Sequence, residues 1–263
     1  MSEGGDSETG FGATGGRWRG VLFLLPLAVF ALGLAGLVGL LAAVSRRFRE
    51  RGFRPVVQLW GRVPLALLGI RLDVNGLEHR DAAGPKILLF NHVSVLDLFV
   101  LSALCPERPL VLYKKEFERI PGLGRAFTGL GMIPVDRSDH ESALRSVESA
   151  RERLRLEGAS VMIAPEGTRS RQGGLQEFKL GAFHLAAGSG VPVVPLVMRG
   201  IESVLPMGSF LARSGVVRVD FLEPIPTGHW KAAEVRDHAR EVREVFLELL
   251  EAAPDGDLQI DQS

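Results

Sequence analysis

Apolar residues along the chain fall into two kinds of pattern, and the change between them lies near residue 70. Ahead of it, residues 21–44 contain no charged side chain. Beyond it, short apolar runs bounded by glycine, proline and polar residues alternate with stretches in which apolar residues recur at helical spacing. Short bounded runs are typical of buried strands, and the periodic stretches are typical of amphipathic helices. The chain beyond residue 70 is therefore predicted to be an α/β domain whose sheet is covered by helices on both faces.

The predicted strands and helices of this domain alternate along the chain. Pro192 and Pro195 are expected at the ends of their strand, where proline is tolerated. Strands are predicted at residues 71–75, 87–90, 109–113, 132–135, 161–164, 191–197 and 216–222. Helices are predicted at about residues 94–105, 124–130, 138–154, 179–187 and 234–252.

Residues 21–44 are predicted to enter a membrane, because about 20 apolar residues are needed to cross a bilayer. Five arginines follow between residues 46 and 54, against two in front of the stretch. Basic residues favour the cytoplasmic side, so the rest of the protein is expected there, at a bacterial inner membrane. A single span is one interpretation; two segments that dip into one leaflet, or a signal peptide, are the alternatives.

The first 70 residues also contain a pattern that favours close packing of helices. Ala31, Ala35 and Gly39 recur every fourth residue and give a small face against which another helix can pack. A candidate partner is the segment 53–70, which is either an interfacial amphipathic helix or a helix packed on the α/β domain. The expected organisation is a disordered tail at 1–16, a membrane-anchoring helical region at 17–70, the α/β domain at 71–252 and a flexible tail at 253–263.

Composition narrows the class of protein. The chain has 31 Lys and Arg residues against 31 Asp and Glu residues, and this neutral balance argues against nucleic-acid binding. One cysteine, Cys105, excludes an internal disulfide framework and any cysteine-based zinc site.

The end of one predicted strand carries the first candidate for chemistry. The run at 87–90 leads into Asn91 and His92, and Ser94 followed by Asp97 is a helix-start signature. His92 is therefore expected in a strand-to-helix turn, with the Asp97 carboxylate within reach of the imidazole. A histidine whose tautomer is fixed by a carboxylate is a general base. A structural role, with Asp97 only completing a helix cap, is the alternative.

Other predicted strands also end in polar or basic residues. Lys114, Arg137 and residues 166–170 each follow a strand, and functional groups of α/β sheets gather at strand ends. Arginine is a forked donor suited to phosphate, while Gly167 and Thr168 offer backbone amides and a hydroxyl. Each arginine taken alone would more often be a surface ion-pair partner.

The order of these motifs resembles one known family. Residues 91–97, Asn-His-Val-Ser-Val-Leu-Asp, resemble block one of the glycerophospholipid acyltransferases of the lysophosphatidate acyltransferase type. Residues 114–137 resemble block two, Glu-Gly-Thr-Arg-Ser at 166–170 resembles block three, and 191–195 resemble block four. The four blocks cover roughly residues 70–225. Block two departs from the commoner Phe-Ile-x-Arg form by having Pro134 and Val135, although Arg137 is in place.

The resemblance implies a fold, a reaction and a set of site residues. The fold is α/β, with a mixed central sheet covered by helices as in glycerol-3-phosphate acyltransferases. The reaction is transfer of a fatty acyl chain from acyl-CoA or acyl-carrier protein to the sn-2 hydroxyl of lysophosphatidate, in phospholipid biosynthesis at the membrane. Neither a metal nor a redox cofactor is implied. The catalytic residues would be His92 and Asp97, and the substrate-binding residues would be Lys114, Arg137, Glu166, Gly167, Thr168 and Arg169.

The alternatives differ in acceptor or in class. The acceptor could be another lysolipid or glycerol-3-phosphate, because the blocks are shared among these enzymes. From another class, the chain could be a membrane-anchored lipid-binding protein without activity. The expected partners are a lysophospholipid, the acyl donor and membrane lipid, with no nucleic acid.

Overall fold

The computed structural model describes residues 32–34, 36–41, 44–45, 53–120, 122–136, 138–167, 174–206, 209 and 212–251. Its strands are β1 Ile70–Asn75, β2 Ile87–Phe90, β3 Pro109–Lys114, β4 Ile133–Val135, β5 Ser160–Ile163, β6 Val193–Arg199 and β7 Gly215–Phe221. Its helices from residue 53 onward are α1 Phe53–Leu67, α2 Leu77–Asp81, α3 Asp97–Ala103, α4 Leu123–Gly129, α5 His140–Glu157, α6 Gly181–Ser189, α7 Ile201–Val204 and α8 Val235–Glu251. Two 3₁₀ turns, Lys115–Arg119 and Ala232–Glu234, follow β3 and precede α8.

The described strands form one mixed sheet in the order β1-β7-β6-β2-β5-β3-β4. Pairing is parallel throughout except between β6 and β7. Five strands therefore end at the same edge of the sheet, and β7 and β1 begin at that edge. The predicted mixed α/β sheet is confirmed, and this edge is where the polar residues at the strand ends lie.

Helices cover both faces of the sheet, because side chains that alternate along each strand are apolar on both sides. On one face, Ile87 and Leu89 pack with residues of α5, α6 and α8, among them the fully buried Phe183 and Phe246. On the other face, Leu88, Phe90 and Met162 pack with residues of α1, α3 and α7. β2 lies in the middle of the sheet and is buried along its whole length, so it is a rigid support for whatever follows it.

One strand differs from expectation. Pro195 lies inside β6 and is buried, whereas it was expected at a strand end. Its carbonyl oxygen accepts a hydrogen bond from the Leu222 amide, just beyond the end of β7. In a strand the N–H and C=O of one residue point to the same side. The side on which Pro195 lacks an N–H therefore faces the chain beyond the end of β7, not a paired strand.

The helix α1 packs on the domain, which is the second of the two interpretations of residues 53–70. Trp60 lies against Phe99 of α3, with ring centroids 5.0 Å apart. Arg54 and Gln58 donate hydrogen bonds to the Cys105 carbonyl oxygen at 3.2 and 3.3 Å. The small size of one residue, Gly61, permits this crossing, because a methyl group there would overlap the Phe99 carbonyl oxygen and the Ala103 nitrogen.

The predicted membrane segment at 21–44 lies largely outside the described residues. Its described part is helical at 32–34, 36–41 and 44, and Val38 is buried. The small residue Gly39 contacts Gly129 of α4, where a side chain would overlap the Gly39 carbonyl, so α4 is a close neighbour of this residue; Ala31 and Ala35 lie outside the described residues. Within the part of the chain that the structure describes, no helix combines the length and apolar character needed to span a bilayer.

Replacing Gly61 with alanine should destabilise the fold, because the new methyl group meets backbone atoms of α3 that cannot rotate away. We expect the free energy of unfolding to fall by about 1–3 kcal/mol, measured by denaturant titration. Gly228→Ala is the control, since nothing lies within 4 Å of a methyl group there. Equal unfolding midpoints for the two variants would contradict the packing described for α1.

Candidate active site

The site begins where β2 ends, and the side chain of Asn91 fixes that end. Its amide nitrogen donates to the Met198 carbonyl oxygen, and its oxygen accepts from the Met198 amide, both at 2.8 Å. The side chain thus copies the paired hydrogen bonds of a strand and prolongs the contact between β2 and β6. Because Asn91 is buried, these bonds set the position from which His92 leaves the sheet.

The carboxylate of Asp97 organises the turn that follows. Its Oδ2 atom accepts hydrogen bonds from the backbone amides of Val93 and Ser94, at 2.7 and 3.0 Å, and lies 2.7 Å from His92 Nδ1. The side chain is 1% exposed, and no described residue donates to its other oxygen. A single buried oxygen therefore holds both the backbone of the turn and the imidazole.

The helix start differs in detail from the predicted capping box. Helix α3 begins at Asp97, and the Ser94 hydroxyl accepts weakly from the Leu96 amide at 3.4 Å rather than from the Asp97 amide. The reciprocal half of the box is present, since the Asp97 carboxylate accepts from the Ser94 amide. Asp97 therefore serves the helix start and the histidine together.

This geometry suits His92 to act as a base. With the carboxylate as acceptor, Nδ1 carries the proton, and Nε2 is left as the nitrogen that can take one. The side chain is 33% exposed, so the ring is open to a substrate on one side and held by protein on the other. The catalytic role itself stays a prediction.

Glu166, which follows β5, is tied to the backbone of the same turn. Its Oε1 atom accepts from the His92 amide at 2.8 Å, and its Oε2 atom accepts from the Gln176 amide at 2.9 Å. Burial raises the pKa of the Glu166 carboxyl, and these two amide donors oppose the rise by stabilising the charged form. A carboxylate that bridges two chain segments in this way fixes their relative positions.

An open cavity of about 380 Å³ lies beside His92. It extends from the ends of β2 and β5 toward β6, β7 and the end of α8. Its walls combine polar side chains, including Arg199, Glu202 and Arg218, with apolar ones from α8, Leu247 and Leu250.

The two arginines of this cavity are held by carboxylates on neighbouring strands. Arg199 lies 2.7 Å from Asp220, which also accepts from Asn75 at 2.9 Å. Arg218 is 3.4 Å from Asp73 and is more exposed, so its pairing is weak.

The predicted substrate-binding residues are only partly brought to this place. Gly167 is buried next to Glu166 and has a φ of 71°, a conformation that favours glycine. Lys114 ends β3, which is separated from β2 by β5 and so lies about 10 Å away across the sheet. Its amine is 3.0 Å from Glu116. Arg137, Thr168 and Arg169 lie outside the described residues. Their roles, like the substrate-binding role of Glu166, stay predictions.

Some of the residues that line the cavity were not predicted, although the sequence marks two of them. Arg199 and Gly200 follow β6 at the same edge as His92, so the strand-end rule applies to them as well. Arg218 lies within an alternating strand, and Leu247 lies on an amphipathic helix; no local pattern marks either as lining a cavity.

Cys105 is a buried free cysteine. Burial raises the pKa of the Cys105 thiol to about 11, so this thiol is protonated near neutral pH and is a poor nucleophile. Among the residues that the structure describes, no group of three or more His, Cys, Asp or Glu side chains is placed to hold a metal ion.

Known proteins are similar to this chain in sequence. The sequence model of the family described as Acyltransferase matches residues 71–199. A 1-acyl-sn-glycerol-3-phosphate acyltransferase from Limnanthes douglasii is 32% identical over 73% of this chain and 68% of its own length. The alpha form from Bos taurus is 33% identical over 72% of this chain and 67% of its own.

A solved structure supports the fold independently. The crystal structure of the 1-acyl-sn-glycerophosphate acyltransferase PlsC from Thermotoga maritima superposes with a TM-score of 0.74 at 24% identity, covering 90% of this chain and 98% of that one. This likeness shows the fold. The chain belongs to the acyltransferase family, in its 1-acyl-sn-glycerol-3-phosphate acyltransferase type, and is an O-acyltransferase.

Asp97→Asn tests the carboxylate at the centre of the turn. The amide oxygen can still accept from the backbone amides of Val93 and Ser94, but it has no charge with which to stabilise a protonated His92. We expect kcat for acyl transfer to fall by roughly 10²–10⁴-fold. The buried amide nitrogen should also lower the unfolding free energy by about 1–3 kcal/mol.

The matched control is Asp139→Asn at the start of α5. Asp139 is exposed and caps that helix by accepting from the Ser142 amide, and asparagine caps equally well. Its kcat should equal that of the wild type. If the Asp97→Asn variant kept half the wild-type kcat or more, the Asp97 carboxylate would have no role in the reaction.

Proposed function

We propose that the protein transfers a fatty acyl chain from an acyl thioester to the sn-2 hydroxyl of lysophosphatidate, giving phosphatidate. The observation that carries this proposal is the His92–Asp97 pair at the open end of β2. The names of the relatives support lysophosphatidate as the acceptor. The donor is acyl-CoA or acyl-carrier protein, both of which present the same thioester to the reacting hydroxyl.

The pair supplies what the reaction needs. A secondary alcohol is a poor nucleophile, so a base must remove its proton as the oxygen attacks the thioester carbonyl carbon. Nε2 of His92 takes that proton, and Asp97 stabilises the imidazolium. The tetrahedral intermediate then collapses, the C–S bond breaks, and the thiolate receives the proton from His92. An ester and a free thiol result, and no covalent enzyme intermediate is formed.

The acceptor carries a phosphate, and its proposed ligands come from the motifs. Arg137 and Arg169 would hold the phosphate as forked donors, with Lys114, Gly167 and Thr168 around the glycerol. Lys114 ends β3, and the other residues come after β4 and β5 in the sequence; these three strands lie on the side of β2 away from β6. The thioester would then reach His92 from another direction. This assignment extends the family resemblance residue by residue.

We also propose that the enzyme works at a membrane surface, because acceptor and product are lipids. Large apolar side chains are exposed at the amino-terminal helical residues and on α1, including Leu40, Val44 and Leu67, at 60%, 74% and 74%. Val95, in the turn beside His92, is 53% exposed. Exposed apolar side chains near a catalytic turn are suited to contact with lipid.

The test is an acceptor panel with the purified full-length protein in phospholipid vesicles. Acyl-CoA and acyl-carrier protein are each supplied with lysophosphatidate, glycerol-3-phosphate or other lysophospholipids, and thiol release and lipid product are both measured. Lysophosphatidate should give the highest kcat/KM. A higher value for another acceptor would reassign the substrate, and release of free fatty acid without acceptor would indicate hydrolysis.

His92→Ala in the same assay should lower kcat by roughly 10³-fold or more, because the base is lost. His184→Ala is the control, since His184 is exposed on α6. That variant should keep the wild-type rate. Full activity in the His92 variant would overturn the mechanism.

A further inference from the structure

We propose that Arg243, on α8 and outside all four sequence blocks, is a positioning residue that holds His92 in place through Glu166. The proposal rests on the proposed function for its kinetic consequences. It rests on the structure for the contacts themselves, which form one continuous chain of hydrogen bonds from α8 to the end of β2.

The first link joins α8 to an irregular segment of chain. The Arg243 guanidinium donates from Nε to the Gln176 carbonyl oxygen at 3.1 Å and from Nη2 to the Leu175 carbonyl oxygen at 2.9 Å. Residues 175–179 form neither helix nor strand, so no regular ladder holds these two carbonyls. A forked, planar donor that binds two successive carbonyls fixes the orientation of the peptide between them.

The second link starts from that same residue. The Gln176 amide donates to Oε2 of Glu166 at 2.9 Å, and the His92 amide donates to Oε1 at 2.8 Å. Glu166 is 3% exposed, so its charge is stabilised by these two donors rather than by water. Anything that turns the Gln176 peptide away removes one donor from a buried carboxylate that also holds the backbone of the base.

Contacts that do not involve Arg243 also hold residues 175–179 on the domain. Phe178 is buried and packs edge-on against Phe246 of α8, with ring centroids 5.5 Å apart. The Lys179 amide donates to the Pro165 carbonyl oxygen at 2.8 Å. Loss of the guanidinium should therefore free the peptide at residues 175–176 without unfolding the segment. That separates a positioning role from a purely stabilising one.

The experiment compares Arg243→Met, Arg243→Lys and Glu166→Gln with a control on the same helix, Arg240→Met. Arg240 is exposed and, among the residues that the structure describes, its ion pair is with Asp237. In vesicles with lysophosphatidate and acyl thioester, Arg243→Met should lower kcat roughly tenfold with KM nearly unchanged, because the base is displaced rather than the substrate site. Arg243→Lys should recover part of the loss, and Arg240→Met should match the wild type.

A double-variant cycle tests whether the two residues act through one chain of contacts. If they do, Arg243→Met combined with Glu166→Gln should be no slower than Glu166→Gln alone, since the link is already broken. Independent effects would multiply, and that result would overturn the proposal. So would a kcat for Arg243→Met equal to that of Arg240→Met.

Amide hydrogen exchange separates failure of this proposal from failure of the proposed function. In Arg243→Met the backbone amides of His92 and Gln176 should exchange faster than in the wild type, at an unchanged midpoint of thermal unfolding; in Arg240→Met they should not. If the wild type acylates no lysophosphatidate, the proposed function fails. The exchange rates still show whether Arg243 holds the backbone of His92 in place. Unchanged exchange at His92 in Arg243→Met would overturn the positioning role whatever the activity.

Discussion

The structure of the site depends on one buried oxygen atom, Oδ2 of Asp97. It accepts from two successive backbone amides and from the imidazole of His92 at the same time. A buried carboxylate needs such donors to remain charged, and the turn needs such an acceptor to satisfy amides that no strand or helix pairs. The same carboxylate therefore fixes both the fold of the turn and the tautomer of the histidine.

The sheet gives this turn its surroundings. β2 lies between β6 and β5, and each neighbour sends a contact to the residues that follow it. Asn91 is bonded to Met198 of β6, and the His92 amide is bonded to Glu166 beyond β5. Since β7 runs opposite to β6, its first residues reach the same edge, and this is why Val216 and Arg218 line the cavity. The direction of one strand thus decides which side chains line the cavity beside His92.

Sequence reasoning succeeded where the determinants are local. Short apolar runs predict the strands, and the contact of His92 with Asp97 can be predicted because the two residues are five positions apart in one turn. It did not find that Glu166 binds the His92 backbone, 74 residues away, or that Arg243 reaches residue 175, because no local pattern encodes which segments meet. An apolar pattern also does not say what buries it: α1 proved to pack on α3. Pro195 can lie inside β6 because β7 ends next to it. The sequence around a proline does not show where the neighbouring strand ends.

The end of α8 has a consequence for where the cavity beside His92 can change shape. The region matched by the family stops at residue 199, yet Leu247 and Leu250 form a wall of the cavity and Phe246 closes the core beneath it. Substitutions in this helix can reshape the space beside His92 while every motif stays intact. The shape of this cavity is therefore set partly by a helix outside the matched region, and changes there can alter which molecules fit beside His92.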